Sequence, residues 1–309
     1  MNTSEPFDHS ALPSEADLTL SNARSVYFRN GQPKLADSFV AYLDELGTRE
    51  RISSLTDESL ASDRKTAIEF DAILHREEWQ GRSQRYATFT DNVVLGTPAD
   101  SFSTARQLRF MLTAIAHYQL GLTLRARLVR GGVCRGPLFV DDRLVTGQAL
   151  VDAVELEERE AVFPRVLVAN NCYESVKADG INDNLKAGRG MEWKYLILID
   201  GDGRLFVNYL LANARADVPA EVQQRLDDHR NVIDAGLSDD SLSSRVRSKY
   251  LWMADYQDYV HSVFFAEMGV ENPGASRHRD RQRSFRQLSD IPLGHAASAL
   301  MDEARNLPQ

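Results

Sequence analysis

One short segment constrains the fold of this chain more than any other part of its sequence. Residues 38–43, SFVAYL, are apolar on both alternations of a strand. A strand with this pattern is covered on both faces, so it lies in the middle of a sheet with further structure packed on each side. Asp44 follows at once, and the pattern therefore predicts a central strand that ends in a carboxylate.

The segments on either side of this strand predict an α+β protein. Helical spacing occurs within 48–74, 99–120 and QALVDAVELEER, and strand patterns occur in RYATFT, VVLG, LTLRARLV, PLFV, RVLVAN, WKYLILID and RLFVNYL. The glycine-rich RGGVCRG is interpreted as the turn between LTLRARLV and PLFV. Strands and helices that alternate over short loops are typical of a ferredoxin-like α+β sandwich with added strands.

The pattern along the chain also predicts three regions. Residues 1–34 lack periodicity and are expected to form a flexible N-terminal arm or an edge element, and residues 35–215 form the folded α+β domain. Residues 216–309 change to helical spacing and are interpreted as a helical C-terminal appendage with a polar tail. Within that tail, the basic run RHRDRQRSFR is typical of a solvated segment.

Composition and charge exclude several classes of protein. The chain has 36 basic and 45 acidic residues, a formal charge of −9 and 43% hydrophobic residues, which excludes disorder as a whole. The acidic balance argues against sequence-independent nucleic-acid binding. Two cysteines without metal-ligand spacing favour a reducing compartment. No signal peptide pattern and no run of about 18 apolar residues occur, so a cytoplasmic protein that does not insert into a membrane is expected.

Two aspartates are the main candidates for chemistry. Asp44 precedes a short turn, residues 45–48, that leads into a helix whose first N–H groups would attract phosphate. Asp91 lies at the tip of a predicted hairpin, and the two carboxylates converge if that hairpin pairs beside the first strand. Such a pair facing a helix start suits a magnesium or manganese nucleoside triphosphate. The alternative is that Asp44 caps a helix and Asp91 only forms a turn.

The stretch 125–157, taken with YLDELG and FTDNVVLG in the same order, resembles the catalytic domain of class III nucleotidyl cyclases. The details RGG-x-x-x-G, VTG-x-AL and A-V-x-L-E are similar to the bacterial pyrimidine cyclases of Pycsar anti-phage systems. The resemblance covers roughly residues 35–210. The helix pattern of the family is matched by Gly147, Leu150, Ala153, Leu156 and Glu157.

The resemblance implies a role for each matching residue. Asp44 and Asp91 would be the ligands of two Mn²⁺ or Mg²⁺ ions per site, with the Glu45 carbonyl as a third oxygen. Nucleotide and phosphate contacts are expected from Tyr42, Leu46, Gly47, Thr48 and Arg125, the last matching an arginine of the family's fourth strand. Arg130 is a further catalytic candidate, and Arg135 and Arg85 are additional candidates near the site.

The sequence also departs from the family at four positions that act on the base, the ribose or the transition state in related enzymes. Ala87 and Leu144 stand where adenylate and guanylate cyclases read the purine, and neither can form the expected hydrogen bonds. Val151 and Glu155 stand where many class III enzymes have an asparagine and an arginine that act on the ribose and the transition state. Either other arginines replace them, or the domain binds nucleotide without converting it.

The resemblance therefore implies a metal-dependent uridylate cyclase that converts UTP to 3′,5′-cyclic UMP and pyrophosphate. It further implies a homodimer with sites at its interface, and a separate effector that senses the cyclic nucleotide during anti-phage defence. Two alternatives stay open at this point. One is a cytidylate cyclase that uses CTP, and the other is an inactive, nucleotide-binding pseudo-cyclase.

Overall fold

A computed structural model describes residues 26–74, 85–89, 92–99, 104–141, 143–178, 196–213, 218–273 and 284–287. The strands are β1 Phe28–Arg29, β2 Gln32–Pro33, β3 Ala36–Glu45, β4 Arg85–Phe89, β5 Asn92–Pro98, β6 Val129–Val140, β7 Val145–Thr146, β8 Val166–Val168, β9 Ile197–Ile199, β10 Leu205–Val207 and β11 Arg286–Gln287. The α-helices are α1 Thr48–Ser53, α2 Asp57–Leu74, α3 Thr104–Thr123, α4 Gln148–Glu160, α5 Asn170–Ala178, α6 Pro219–Ser238 and α7 Ser244–Val260. Single turns of 3₁₀ or π-helix follow at Tyr209–Asn213, His261–Phe265 and Ala266–Met268.

Eight of the described strands form the main sheet in the order β11-β9-β10-β8-β6-β3-β5-β4, with β7 paired to β6 at its end and β1 and β2 in a separate hairpin. The half that contains β6, β3, β5 and β4 is antiparallel throughout. Its chain order of strand, helices, two strands, helix and strand is that of the ferredoxin-like split βαβ unit, so the predicted α+β class is confirmed. Beyond β6 the sheet is extended by β8, which is parallel to β6, and then by antiparallel strands.

The central position of β3 is confirmed. It pairs with β5 from Ser38 to Asp44 and with β6 along its whole length. Phe39 and Ala41 belong to the core beneath α3, whereas Val40 belongs to a second core beneath α4. Because successive side chains of a strand point to opposite faces, Asp44 lies on the α4 face and Glu45 on the α3 face.

The glycine-rich segment is not the predicted turn. RGGVCRG lies inside the continuous strand β6, and the residues predicted as an earlier strand belong largely to the end of α3 and the turn after it. A Cβ atom at Gly131 would lie 2.5 Å from the Tyr42 carbonyl oxygen, and one at Gly132 would lie 2.4 Å from that of Ala153. The glycines are therefore required by the close approach of β3 and α4, not by a change of chain direction.

The C-terminal helices share the main hydrophobic core with the sheet. Trp252 and Tyr256 of α7 are buried and contact Phe206 of β10 edge-on, with ring centroids 5.6 Å apart in both pairs. Phe285 is buried against the same rings, and β11, which follows it, pairs with β9. The end of the basic run is thus packed and not solvated as predicted, while residues 277–283 lie outside the described residues.

The chain is also packed on the sheet before residue 35. Strands β1 and β2 form a short hairpin, and Tyr27 in front of them is buried, with its hydroxyl 3.0 Å from that of Ser38. Part of the segment predicted to be a flexible arm is therefore ordered on the sheet, while residues 1–25 lie outside the described residues. None of the helices that the structure describes has the length and apolar character needed to cross a membrane.

Candidate functional site

Asp44 lies near the end of β3, between the two neighbouring strands. It is paired with Asn92 of β5 on one side and with Arg130 of β6 on the other. Its carboxylate is 20% exposed, and Arg130 donates to Oδ2 from Nη2 at 3.2 Å and from Nε at 3.3 Å. The sequence neighbour of Asn92, Asp91, lies outside the described residues. The structure therefore brings together Asp44 and Arg130, two of the three predicted catalytic residues.

A buried carboxylate holds Arg130 from the other side. Glu157 of α4 is only 2% exposed, and its Oε1 lies 2.5 Å from Arg130 Nε. The pKa of Glu157 is raised to about 7, mainly by burial and also by the charge of Asp44, although Arg130 acts in the opposite direction. In the sequence Glu157 fits a helix pattern, and nothing there indicates this contact. Arg130 is thus fixed between two carboxylates, next to any group that binds Asp44.

Glu45 has a different environment on the opposite face of the sheet. Its buried carboxylate accepts from Arg127 at 2.7 Å and 2.5 Å and lies 3.3 Å from Arg51 Nε. Asp63 of α2 pairs with both arginines and balances the cluster. The main-chain carbonyl of Glu45, which is the atom predicted to bind metal, accepts a hydrogen bond from Thr48 Oγ1 at 2.9 Å. A carbonyl oxygen has a second lone pair, so this bond is compatible with a ligand role.

The turn before α1 corrects one predicted phosphate contact. The N–H of Leu46 donates to the carbonyl of Leu128 at 2.8 Å, so it is not available to a phosphate. Gly47 has a left-handed backbone with φ of 81° and begins the helix. The first amides of a helix have no acceptor within it. The N–H groups of Gly47 and Thr48 therefore have no acceptor within α1, as the predicted phosphate contact requires.

Two of the other candidate arginines lie away from Asp44. Arg125 is not in a strand, as predicted, but in the turn after α3, where Nη2 lies 2.5 Å from Glu69 and Nη1 donates to the Gly121 carbonyl. Arg135 lies five positions beyond Arg130 on β6 and so on the opposite face, where it pairs with Asp37 at 2.7 Å. The structure does not bring either of them to Asp44.

The positions that depart from the family lie mostly on the surface. Val151 is 50% exposed on α4, and Glu155 on the same helix pairs with Arg159 at 3.4 Å. Leu144 is 53% exposed in a turn whose amides donate to Asp141 Oδ1. Tyr42, two residues before Asp44 and on the same face, is half-buried and packs against the core beneath α4. For Ala87 and Arg85 the structure describes only the backbone of β4.

The predicted metal site has one described side-chain ligand. Among the described residues, no group of three or more histidine, cysteine, aspartate or glutamate side chains is placed to hold a metal ion. The partly exposed carboxylate of Asp44 is a hard oxygen donor of the type that Mg²⁺ and Mn²⁺ prefer. The carboxylate of Asp44 is therefore compatible with the predicted ions, and the second predicted ligand, Asp91, lies outside the described residues.

Comparisons with known proteins add little to this description. No family model and no curated protein matches the sequence. Among solved structures, the chain is similar to a class III adenylyl cyclase-like ATP-binding protein from Pseudomonas aeruginosa, with 12% identity and a TM-score of 0.34. The match covers 81% of this chain and 52% of that one, so this chain spans about half the length of its neighbour. Similarity at this level does not transfer a function.

Proposed function

We propose that this chain is a nucleotide-binding protein with nucleotidyl cyclase activity, which converts UTP to 3′,5′-cyclic UMP and pyrophosphate. The observation that carries the proposal is the position of Asp44. Its partly exposed carboxylate lies near the end of the central strand, beside Arg130 and opposite Asn92, which follows Asp91 in the sequence. The motifs shared with class III cyclases support the reaction, and those shared with pyrimidine cyclases support the base.

Each residue of the site has a defined task in this proposal. Asp44, Asp91 and the main-chain carbonyl of Glu45 would hold Mn²⁺ or Mg²⁺, which when bound lowers the pKa of the ribose 3′-hydroxyl and neutralises phosphate charge. Arg130 donates to the phosphate oxygens, where charge-assisted hydrogen bonds stabilise the charge that builds up in the transition state. Glu157 keeps the guanidinium of Arg130 oriented.

The proposal is tested by incubating the full chain with Mn²⁺ and each of the four ribonucleoside triphosphates, with products identified by mass spectrometry. Cyclic UMP from UTP alone is the expected result, and cyclic CMP from CTP alone would assign the alternative pyrimidine. Asp44→Asn should abolish the product, because the amide is a poor ligand for these cations. The matched control is Asp37→Asn, which removes an arginine-paired carboxylate from the other end of the same strand. Cyclic AMP or GMP would contradict the proposed base.

A second function is favoured by one observation. The positions that carry an asparagine and an arginine in many class III enzymes hold Val151 and Glu155, which are exposed on α4, with Glu155 paired to Arg159. A domain without those groups is suited to binding a nucleotide and signalling its presence. For such a pseudo-cyclase, UTP raises the melting temperature of the protein, because a ligand stabilises the state that binds it, and no pyrophosphate is released.

The resemblance also supports a homodimer with sites at its interface, an effector that senses the cyclic nucleotide, and a role in anti-phage defence. In a symmetric dimer the same surface of both copies is buried, and two equivalent sites result. Sedimentation velocity of the full chain over a range of concentrations tests the dimer. A monomer at all concentrations that nevertheless makes cyclic UMP would contradict an interface site.

A further inference from the structure

The C-terminal helix α7 is attached to the end of the sheet where the candidate site lies. Its residue Trp252 donates from Nε1 to Asp200 Oδ2 at 2.8 Å and stacks on Phe163 with ring centroids 5.9 Å apart. Asp200 in turn forms a buried ion pair with Arg165, the residue just before β8. These contacts fix α7 beside the start of β8.

The start of β8 adjoins Arg130. The N–H of Gly131, the residue after Arg130, donates to the Arg165 carbonyl at 3.3 Å, and Gly131 pairs with Val166 between the parallel strands β6 and β8. Lys249 precedes Trp252 by three residues, about one turn of α7. Arg245 precedes Lys249 by four and so lies on the same face of the helix.

Lys249 and Arg245 join the charges of the candidate site. Lys249 is half-buried, and burial lowers its pKa; Arg130 and Arg245 lower it further, whereas Asp44 raises it. Among the residues that the structure describes, Lys249 forms no ion pair at salt-bridge distance. Arg130, Lys249 and Arg245 therefore lie within electrostatic range of one another, and Arg130 also pairs with the carboxylates of Asp44 and Glu157.

In a chain with a formal charge of −9, these groups comprise three cations and two carboxylates, a local surplus of positive charge. Partial burial of an ammonium group costs free energy, Asp44 offsets only part of that cost for Lys249, and a bound anion would offset more of it. When a metal cation binds the carboxylate of Asp44, that carboxylate neutralises the charge of Arg130 less completely. Arg130, Lys249 and Arg245 then carry three positive charges against the one carboxylate of Glu157, and this surplus complements the charge of a triphosphate.

We propose that Lys249 of α7 binds the triphosphate of the nucleotide together with Arg130 and Arg245. This inference rests on the proposed nucleotide site and deepens it, because it makes the C-terminal helices part of that site. Lys249 acts as a flexible point charge on the phosphates, a role suited to an ammonium group on a long stem. Arg130, held by Glu157, provides the directional contacts.

The test measures binding and not only turnover. Inorganic tripolyphosphate and UTP are titrated into the full chain by calorimetry at fixed salt and Mn²⁺ concentration. Lys249→Met should weaken the binding of both by about tenfold, the value of one charge-assisted contact, and Lys249→Arg should restore most of it. Arg247→Met is the matched control, because it removes one charge from an exposed position two residues away on α7.

The outcomes separate this inference from the proposed cyclase activity. Tripolyphosphate binding that depends on Lys249 supports the inference even if no nucleotide is converted. If Lys249→Met still makes cyclic UMP with an unchanged KM and binds tripolyphosphate with unchanged affinity, the inference is overturned while the proposed activity stands. If Lys249→Met does not fold, Arg245→Met tests the same surface, and unchanged tripolyphosphate affinity in that variant overturns the inference.

Discussion

Arg165 shows how one side chain joins distant parts of this sequence. Its guanidinium is buried and pairs with the carboxylate of Asp200, which is also buried, and with that of Asp202, which is 39% exposed. Asp200 additionally accepts from Trp252. A buried charge is tolerated only when its partner is present, so the two aspartates differ in their importance for stability.

Replacing these aspartates one at a time should give unequal effects. Asp200→Asn leaves the buried Arg165 without its main counter-charge and should lower the free energy of unfolding by about 3–5 kcal/mol. Asp202→Asn removes a solvent-screened partner and should lower it by about 1 kcal/mol or less. Urea denaturation of both variants measures the difference. Equal losses would show that Asp200 does not neutralise Arg165 in the folded protein.

Residues of the site differ in how far the sequence reveals them. Asp44 is predictable because it follows a strand whose apolar pattern is unambiguous. Glu157 is not, because one glutamate among several in an amphipathic helix gives no sign that it is the one facing β6. That contact depends on the close approach of α4 to Gly132, which only the tertiary packing provides.

At the scale of elements, a buried histidine connects α6 with α7. His229 Nδ1 lies 2.6 Å from Gln257 Oε1, and the Gln257 amide group donates to the Leu226 carbonyl. Because Oε1 is an acceptor, Nδ1 carries the proton, and Nε2 accepts from the Tyr209 hydroxyl at 2.9 Å. The imidazole is therefore held neutral, and burial lowers its pKa to about 4.

This contact should make stability fall on acidification. Below its ordinary pKa of about 6.5, the unfolded chain binds a proton that the folded protein accepts only near pH 4. The free energy of unfolding should then decrease as the pH falls from 6.5 to 4, by up to about 3 kcal/mol for this group. His229→Gln should be less stable at pH 7.5 but lose less on acidification. Denaturation at several pH values tests this, and parallel pH profiles would contradict it.

Elements with a strong local pattern are predictable from this sequence. Helices α3 and α4 and the antiparallel pairing of β4 with β5 are confirmed, because helical periodicity and hairpin alternation are local signals. The turn predicted at the glycines of β6 is wrong, because the sequence does not show whether a glycine permits a turn or a close approach. The short strand β11 was missed because it is stabilised by β9 and not by its own composition.

At the scale of the whole molecule, the C-terminal helices complete the core. Trp252, Met253 and Tyr256 of α7 are buried in the same cluster as the strands of the extended sheet, together with Leu226 and Ile233 of α6. Sequence periodicity indicates that these helices exist, yet it does not show which surface they cover. The apolar faces of α6 and α7 are buried against the sheet as well as against each other.

A chain that ends at residue 215 should therefore not fold on its own. Without α6 and α7, the apolar surface that they cover would be exposed to water, at a cost of about 25 cal/mol for each Å². We expect the total cost to exceed the small free energy of unfolding of a typical domain. Circular dichroism and a cooperative urea transition measure the outcome, with the full chain as the control. A soluble truncated chain with a cooperative transition would show that the helices form an independent unit.

The alternation of side chains along β3 has a consequence for how this protein can change over time. Two adjacent acidic residues serve opposite faces of the sheet: Asp44 meets Arg130 in the candidate site, and Glu45 meets Arg127 in a buried structural cluster. Loss of the first carboxylate would remove the proposed chemistry and leave the scaffold intact, whereas loss of the second would destabilise the scaffold itself. If the proposed function holds, one substitution separates this protein from a folded descendant without activity. An insertion of one residue within β3 would turn Asp44 and Glu45 to the opposite faces of the sheet and disrupt both contacts.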